Sequence, residues 1–150
     1  MQASAPAATA TAAELPERLL ALWKYVARNA GGEFADLLDE LELSLAQVKT
    51  LETLIAHGTS PSVKELSASL GCSLANSSRA VDALVRRGLL ERREDEADRR
   101  VKRLTITPAG RDAIARIDAL RRHGLERYAA TLTDDQRARL ADALTGLPAA

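Results

Sequence analysis

Apolar residues recur at helical spacing along most of this chain. Leu15, Leu19, Leu22, Trp23 and Val26 repeat at three and four residues, which predicts an amphipathic helix over Glu14 to Ala30. Gly31-Gly32 is expected to break or kink it, and Phe34, Leu37, Leu38 and Leu41 resume the stripe. Leu45, Val48, Leu51, Leu54 and Ile55 predict a short helix ending near His57-Gly58. Val63, Leu66 and Leu70 predict another, followed by Gly71, where a sharp turn needs a residue free to adopt positive φ. Leu74, Val81, Leu84 and Val85 form the expected inward face of the next helix, which Gly88 ends. The period then changes. Leu104 and Ile106 alternate with Arg103 and Thr105 as in a strand, and Leu89-Leu90 starts a partner strand. The charged stretch Arg92 to Arg100 between them is expected to be a hairpin tip. Ile114, Ile117 and Leu120, with Leu125, Tyr128 and Leu132 beyond Gly124, predict a long helix from Thr107. Leu140, Leu144 and Leu147 mark a last helix ending at Gly146 and Pro148.

Helix starts support these divisions. In a capping box a Ser or Thr side chain and a Glu or Gln three residues later each satisfy an orphan backbone N–H. Ser44 with Gln47, Ser62 with Glu65 and Thr133 with Gln136 fit this pattern. Ser73 can cap the helix after the glycine turn. Thr107-Pro108 places a cap before a proline at the first helical position, where a missing N–H costs nothing. The order is three helices, a tight turn, a helix, a two-stranded hairpin and two helices: a mainly α fold with a small β-hairpin. There is no βαβ alternation and no glycine-rich phosphate loop, which argues against a nucleotide-binding enzyme.

Two short helices around a glycine turn are the helix-turn-helix pattern, whose second helix enters the major groove. The face opposite Leu74, Val81, Leu84 and Val85 is expected to show Ala75, Asn76, Ser77 and Arg79 near the helix start. These side chains are short or hydrogen-bonding, and Asn and Arg can contact adenine or guanine edges in pairs.

Charge changes the picture only by its location. The 150 residues carry 21 basic and 21 acidic side chains, so net charge gives no reason to expect nucleic acid. Yet Ser73 to Arg93 holds Arg79, Arg86, Arg87, Arg92 and Arg93 against only Asp82 and Glu91, a local basic excess. Aromatics make up 3% of the chain, too few for a base-stacking platform, so the core must rest on Leu, Val, Ile and Ala. One cysteine, Cys72, excludes an internal disulfide and a multi-cysteine zinc site and fits a reducing cytoplasm. No run of about 18 apolar residues exists to span a membrane. The first 13 residues, rich in Ala and Thr, make a poor signal peptide and read as a disordered tail.

The stretch Val81 to Gly110, with Asp98-Arg99-Arg100 followed by Leu104-Thr105-Ile106-Thr107-Pro108-Ala109-Gly110, resembles the signature of MarR-type transcription regulators. That resemblance implies a winged helix-turn-helix with N- and C-terminal dimerisation helices. The implied division is a tail over 1–13, an N-terminal dimerisation helix region over 14–43, a DNA-binding domain over 44–107 and C-terminal dimerisation helices over 108–150. It implies a homodimer in which the first, fifth and sixth helices of each chain interlock and two winged domains straddle a pseudo-palindromic operator. It also implies a cytoplasmic repressor of double-stranded DNA, released by a small aromatic or phenolic effector, with no cofactor. The expected DNA-binding residues are Ser73, Ala75, Asn76, Ser77, Arg79, Asp98, Arg99 and Arg100. Arg100 would enter the minor groove and Asp98 would hold the wing in shape. The chain departs from the pattern at Cys72, where an aliphatic residue is common, and at Leu74-Ala75-Asn76, where a Pro-containing start is usual.

Cys72, near a helix N-terminus, would suit a thiol sensor, but a small buried filler is the plainer expectation. His57 and His123 lack the partners of a zinc site, so no metal is expected. Trp23 and Tyr25 would line an effector pocket or simply pack. A winged fold serving protein interaction is the competing function. Catalysis is not expected, because neither histidine has an evident Ser or Cys partner.

Overall fold

The computed structural model describes residues 13–95 and 97–147, with no side-chain environment for residues 29–31. The disordered tail expected over 1–13 lies outside these residues except for Ala13, as does Pro148. Six helices and one hairpin follow in the expected order: α1 (Glu14–Glu40), α2 (Leu45–His57), α3 (Val63–Leu70), α4 (Leu74–Arg86), β1 (Leu90–Glu94), β2 (Lys102–Ile106), α5 (Pro108–Ala130) and α6 (Asp134–Thr145). The break expected at Gly31-Gly32 does not occur: α1 remains helical through both glycines. Helix propensity per glycine is poor by only about 1 kcal/mol, which the 27 residues of α1 outweigh. The chain forms two compact units, Glu33–Arg121 and the combination of Met1–Gly32 with Arg122–Ala150.

The unit Glu33–Arg121 holds the hydrophobic core. Val48, Leu51 and Leu54 of α2, Leu66 of α3, Val81 and Leu84 of α4, Leu90, Leu104 and Ile106 of the hairpin, and Ala113, Ile114 and Ile117 of α5 are buried together. Phe34, Leu37 and Leu38 of the second half of α1, and Leu41 just after it, pack against this cluster. All three predicted capping boxes are formed, at Ser44, Ser62 and Thr133. Gly71 ends α3 at φ 62° and ψ 30°, the left-handed conformation that the turn into α4 requires.

The hairpin is antiparallel, with Leu90 opposite Ile106, Arg92 opposite Leu104 and Glu94 opposite Lys102. Arg92 to Glu94, expected in the tip, belong to β1. Their side chains are exposed rather than packed in the core, and pairing with β2 holds them in the strand. Leu104 N–H donates to the Pro61 carbonyl at 2.9 Å, and Ser62 bridges Arg103, which joins the hairpin to the start of α3.

In the other unit, the ring of Tyr25 on α1 meets that of Tyr128 on α5 edge-on, 5.3 Å between centroids. Arg137 of α6 donates to the carbonyls of Ala129, near the end of α5, and Leu132, in the turn that follows it. Leu15, Leu19, Leu20, Trp23, Leu125 and Leu144 of this unit are exposed, and α6 buries none of its residues. The inward stripe expected for Leu144 and Leu147 is therefore not buried within the single chain. Among the described residues no helix is long and apolar enough to cross a membrane.

Candidate nucleic-acid interface

The site begins at the turn between α3 and α4. Ser73, extended at φ −66° and ψ 147°, accepts the Asn76 N–H on its Oγ at 3.3 Å and so starts α4. The buried residues of α4 are Ser77, Val81 and Leu84, spaced by four and three along one face. Ala75, Asn76 and Arg79 lie off that face and are exposed. Arg79 Nη2 donates to Asn76 Oδ1 at 2.5 Å, joining the two side chains into one polar unit.

Two expectations for α4 need correction. Ser77 is 1% exposed, so it cannot belong to the outward set. It stands four residues before Val81 on the core side, and its Oγ lies 3.1 Å from the Cys72 Sγ. Leu74, expected inward, is 54% exposed, because the core ends one turn after it, at Ser77. Cys72 is likewise exposed rather than a buried filler. It borders a cleft of ≈ 450 Å³ whose other walls include Gln47 and Lys49 of α2 and Asn76 and Arg79 of α4.

The wing is built by carboxylates. Asp95 Oδ1 accepts the N–H groups of Ala97 and Asp98 at 2.9 and 3.0 Å, and its own N–H donates to the Val101 carbonyl at 3.0 Å. Asp98 Oδ1 accepts the Arg100 N–H at 3.0 Å, which bends the chain at the residues expected to meet DNA. Asp95 Oδ2 takes Arg103 Nε at 2.6 Å, while Arg103 Nη1 reaches Glu65 Oε2 at 2.9 Å. That same Glu65 oxygen accepts the Ser62 N–H at 2.7 Å in the capping box of α3. One arginine thus ties the tip of the wing to the first helix of the helix-turn-helix.

These contacts hold the carboxylates ionised. The Arg103 hydrogen bond, then the N–H groups of Asp98 and Ala97, lower the Asp95 pKa below the ordinary aspartate value. The hydrogen bonds of Ser62, followed by the charge of Arg103, lower that of Glu65. Lys102, 2.6 Å away across the hairpin, does the same to Glu94. Asp95, Glu65 and Arg103 are not legible as a group in the sequence. Arg103 alternates with Leu104 and reads as an outward strand residue, and nothing local links it to a capping glutamate 38 positions away.

Much of the basic excess is spent inside the protein. Arg92 pairs with Asp82 at 2.7 Å, Arg93 with Glu91 at 2.9 Å, and Arg87 binds the Leu41 and Glu42 carbonyls at the end of α1. Arg86, Arg99 and Arg100 are exposed and make no ion pair among the described residues. With Arg79, they are the cations of this region left for phosphates or base edges. His57 Nε2 lies 2.8 Å from Ser69 Oγ and joins α2 to α3, and His123 faces Glu126. No cluster of metal-ligating side chains exists among the described residues.

Residues 43–102 match the MarR family. The transcriptional repressor MprA of Escherichia coli K12 is 41% identical over 68 residues, which are 45% of this chain and 38% of that protein. The match thus spans well under half the length of this curated relative. Among solved structures, RV1404 of Mycobacterium tuberculosis superposes with a TM-score of 0.78 at 24% identity, covering 94% of both chains. A mutant of S. aureus MepR bound to an oligodeoxyribonucleotide superposes with a TM-score of 0.68 at 19% identity, covering 85% of this chain and 93% of that one. At these identities the structures establish a shared fold.

Proposed function

We propose, from the premise that the winged helix-turn-helix region of this chain belongs to the MarR family, that the protein is a sequence-specific regulator of transcription that binds double-stranded DNA and represses. In this reading α4 lies in the major groove, with Asn76 and Arg79 toward the bases and Ser73 and Ala75 against the backbone. The wing carries Arg99 and Arg100 to the neighbouring minor groove, where a narrow groove attracts a cation by its potential, and Asp98 fixes the turn that presents them. Two copies, associated through α1, α5 and α6, straddle a pseudo-palindrome. A small aromatic or phenolic effector releases the DNA.

One observation carries this reading. The start of α4 exposes a joined amide and guanidinium, in the same compact unit as a carboxylate-braced hairpin whose Arg99 and Arg100 make no ion pair among the described residues. The repressor MprA supports repression, and the oligodeoxyribonucleotide bound by the MepR mutant supports DNA as the ligand. Fluorescence anisotropy with DNA selected from a random pool tests it. Affinity should fall steeply with salt, by about 0.9 in the logarithm per neutralised phosphate per decade of salt. Arg100→Ala should cost about 1–3 kcal/mol of binding. Salt-independent binding, or unchanged binding by Arg100→Ala, would refute the wing assignment.

A further inference from the structure

We infer that Lys49 of α2 holds a phosphate of the DNA backbone beside α4, a contact that adds affinity without sequence preference. The inference rests on the DNA-binding reading above and brings a residue from outside the helix-turn-helix into it. Lys49 borders the same cleft of ≈ 450 Å³ as Asn76 and Arg79, the α4 side chains assigned to the bases. The wall that α2 gives this cleft therefore adjoins the side of α4 that faces DNA.

The chemistry of the cleft selects an anion. Lys49 and Arg79 are its two cations, and no carboxylate stands among the described residues that line it. Like charges around one concavity raise its potential and draw in a negative group. Lys49 is exposed between the buried Val48 and Thr50 and makes no ion pair among the described residues. Arg79, by contrast, is tied to the Asn76 oxygen. The lysine is thus the unengaged cation of the two, and an ammonium on a long flexible stem meets a phosphate as a point charge.

The interior of the cleft favours a phosphate held at the rim over a small molecule lodged inside. Thr50 and Ser77 are each 1% exposed. Thr50 Oγ1 donates to the Ala46 carbonyl at 2.8 Å, and Ser77 Oγ lies 3.1 Å from Cys72 Sγ. No buried side-chain oxygen or nitrogen among the described residues lacks a partner, so no polar group inside the cleft needs a ligand. The unmet demand is the charge of Lys49 at the exposed edge. DNA lines its grooves with phosphates, which meet the flanks of a helix that enters one.

Ethylation interference, which reads single phosphates, tests this on the DNA that the full chain selects from a random pool. The wild type should lose binding when a particular phosphate of each half-site is ethylated. Lys49→Ala should be indifferent to that ethyl group and remain sensitive at the others. Its affinity should be about tenfold weaker on the same selected sequence. Its dependence of log affinity on log salt should be shallower by about 0.9 for each lysine removed. Lys49→Arg keeps the charge and should restore slope and ethylation pattern. An unchanged pattern and slope in Lys49→Ala, or a changed selected sequence, would overturn the inference while leaving DNA binding intact. Suppose instead that the two proteins share one ethylation pattern, and inorganic phosphate at constant ionic strength displaces DNA from the wild type alone. The cleft then serves a free anion, and the backbone assignment falls. If the wild type selects no sequence and binds no DNA, the regulator reading itself fails and the inference with it.

Discussion

Gly110 shows how little room separates the hairpin from the start of α5. A Cβ there would lie 2.3 Å from the Leu89 carbonyl oxygen and 2.8 Å from Ile106 Cγ1, and the first of these is backbone that cannot swing aside. The approach is fixed on both sides. Thr107 Oγ1 donates to the Gly88 carbonyl at 2.7 Å and accepts the Gly110 N–H at 3.1 Å. Gly110→Ala should therefore destabilise the fold by about 1–3 kcal/mol, read as a lower urea midpoint at unchanged slope. An unchanged midpoint would mean that α5 can retreat from the strand. Leu66 makes the opposite case, a side chain with no exposed surface in a helix of eight residues. Its replacement by Ala should cost about 2–5 kcal/mol in the same measurement. At this scale the sequence spoke unevenly. Asn76 and Arg79 were legible as outward residues because helical period places them opposite Val81 and Leu84. Ser77 and Leu74 were not, because polarity suggested the surface for one and the core for the other. The end of the core at Ser77 decided both.

Among the elements, the wing has the most definite chemistry. Asp95 and Glu65 both have lowered pKa values in the folded chain, through Arg103 and the Ala97 and Asp98 N–H groups for one and through Ser62 and Arg103 for the other. A depressed carboxylate stabilises the fold fully above its unfolded value, near pH 4, and loses that contribution as pH falls through the folded value. The wing should accordingly be indifferent to pH near neutrality and loosen only in acid. Hydrogen exchange of the Ala97, Asp98 and Arg100 amides across pH 3 to 7, corrected for intrinsic rates, would follow it. Loss of protection near neutral pH would contradict this origin. Arg103→Gln should raise the Asp95 titration toward the ordinary aspartate value, observed by carbon NMR of its carboxyl group. An unmoved titration would show that the backbone N–H groups alone set it. Capping residues, glycine turns and strand alternation made the helices and the hairpin legible in sequence, including the three capping boxes. The continuity of α1 through Gly31-Gly32 was not legible, since local propensity is a small cost that a long helix absorbs.

For the whole molecule, the proposed dimer follows from apolar surface that one chain leaves uncovered. Trp23 is 66% exposed and Leu19 54%, and α6 buries nothing. Covering such residues is the main favourable contribution to most protein association. Light scattering should give twice the chain mass at micromolar concentration, and a stable monomer would overturn the dimer. The sequence by itself determined the order of elements, the ends of most helices and the resemblance carried by residues Val81 to Gly110, because caps, periodicity and turn residues act over a few positions. Tertiary structure alone decided which charges are available. Arg87, Arg92 and Arg93 counted toward a basic reading head in the sequence, yet each is engaged by an acceptor within the protein. It alone also joined Arg103 to Glu65 and placed Ser77 in the core. Electrostatic pairing and burial depend on distance through space, which a linear pattern does not contain.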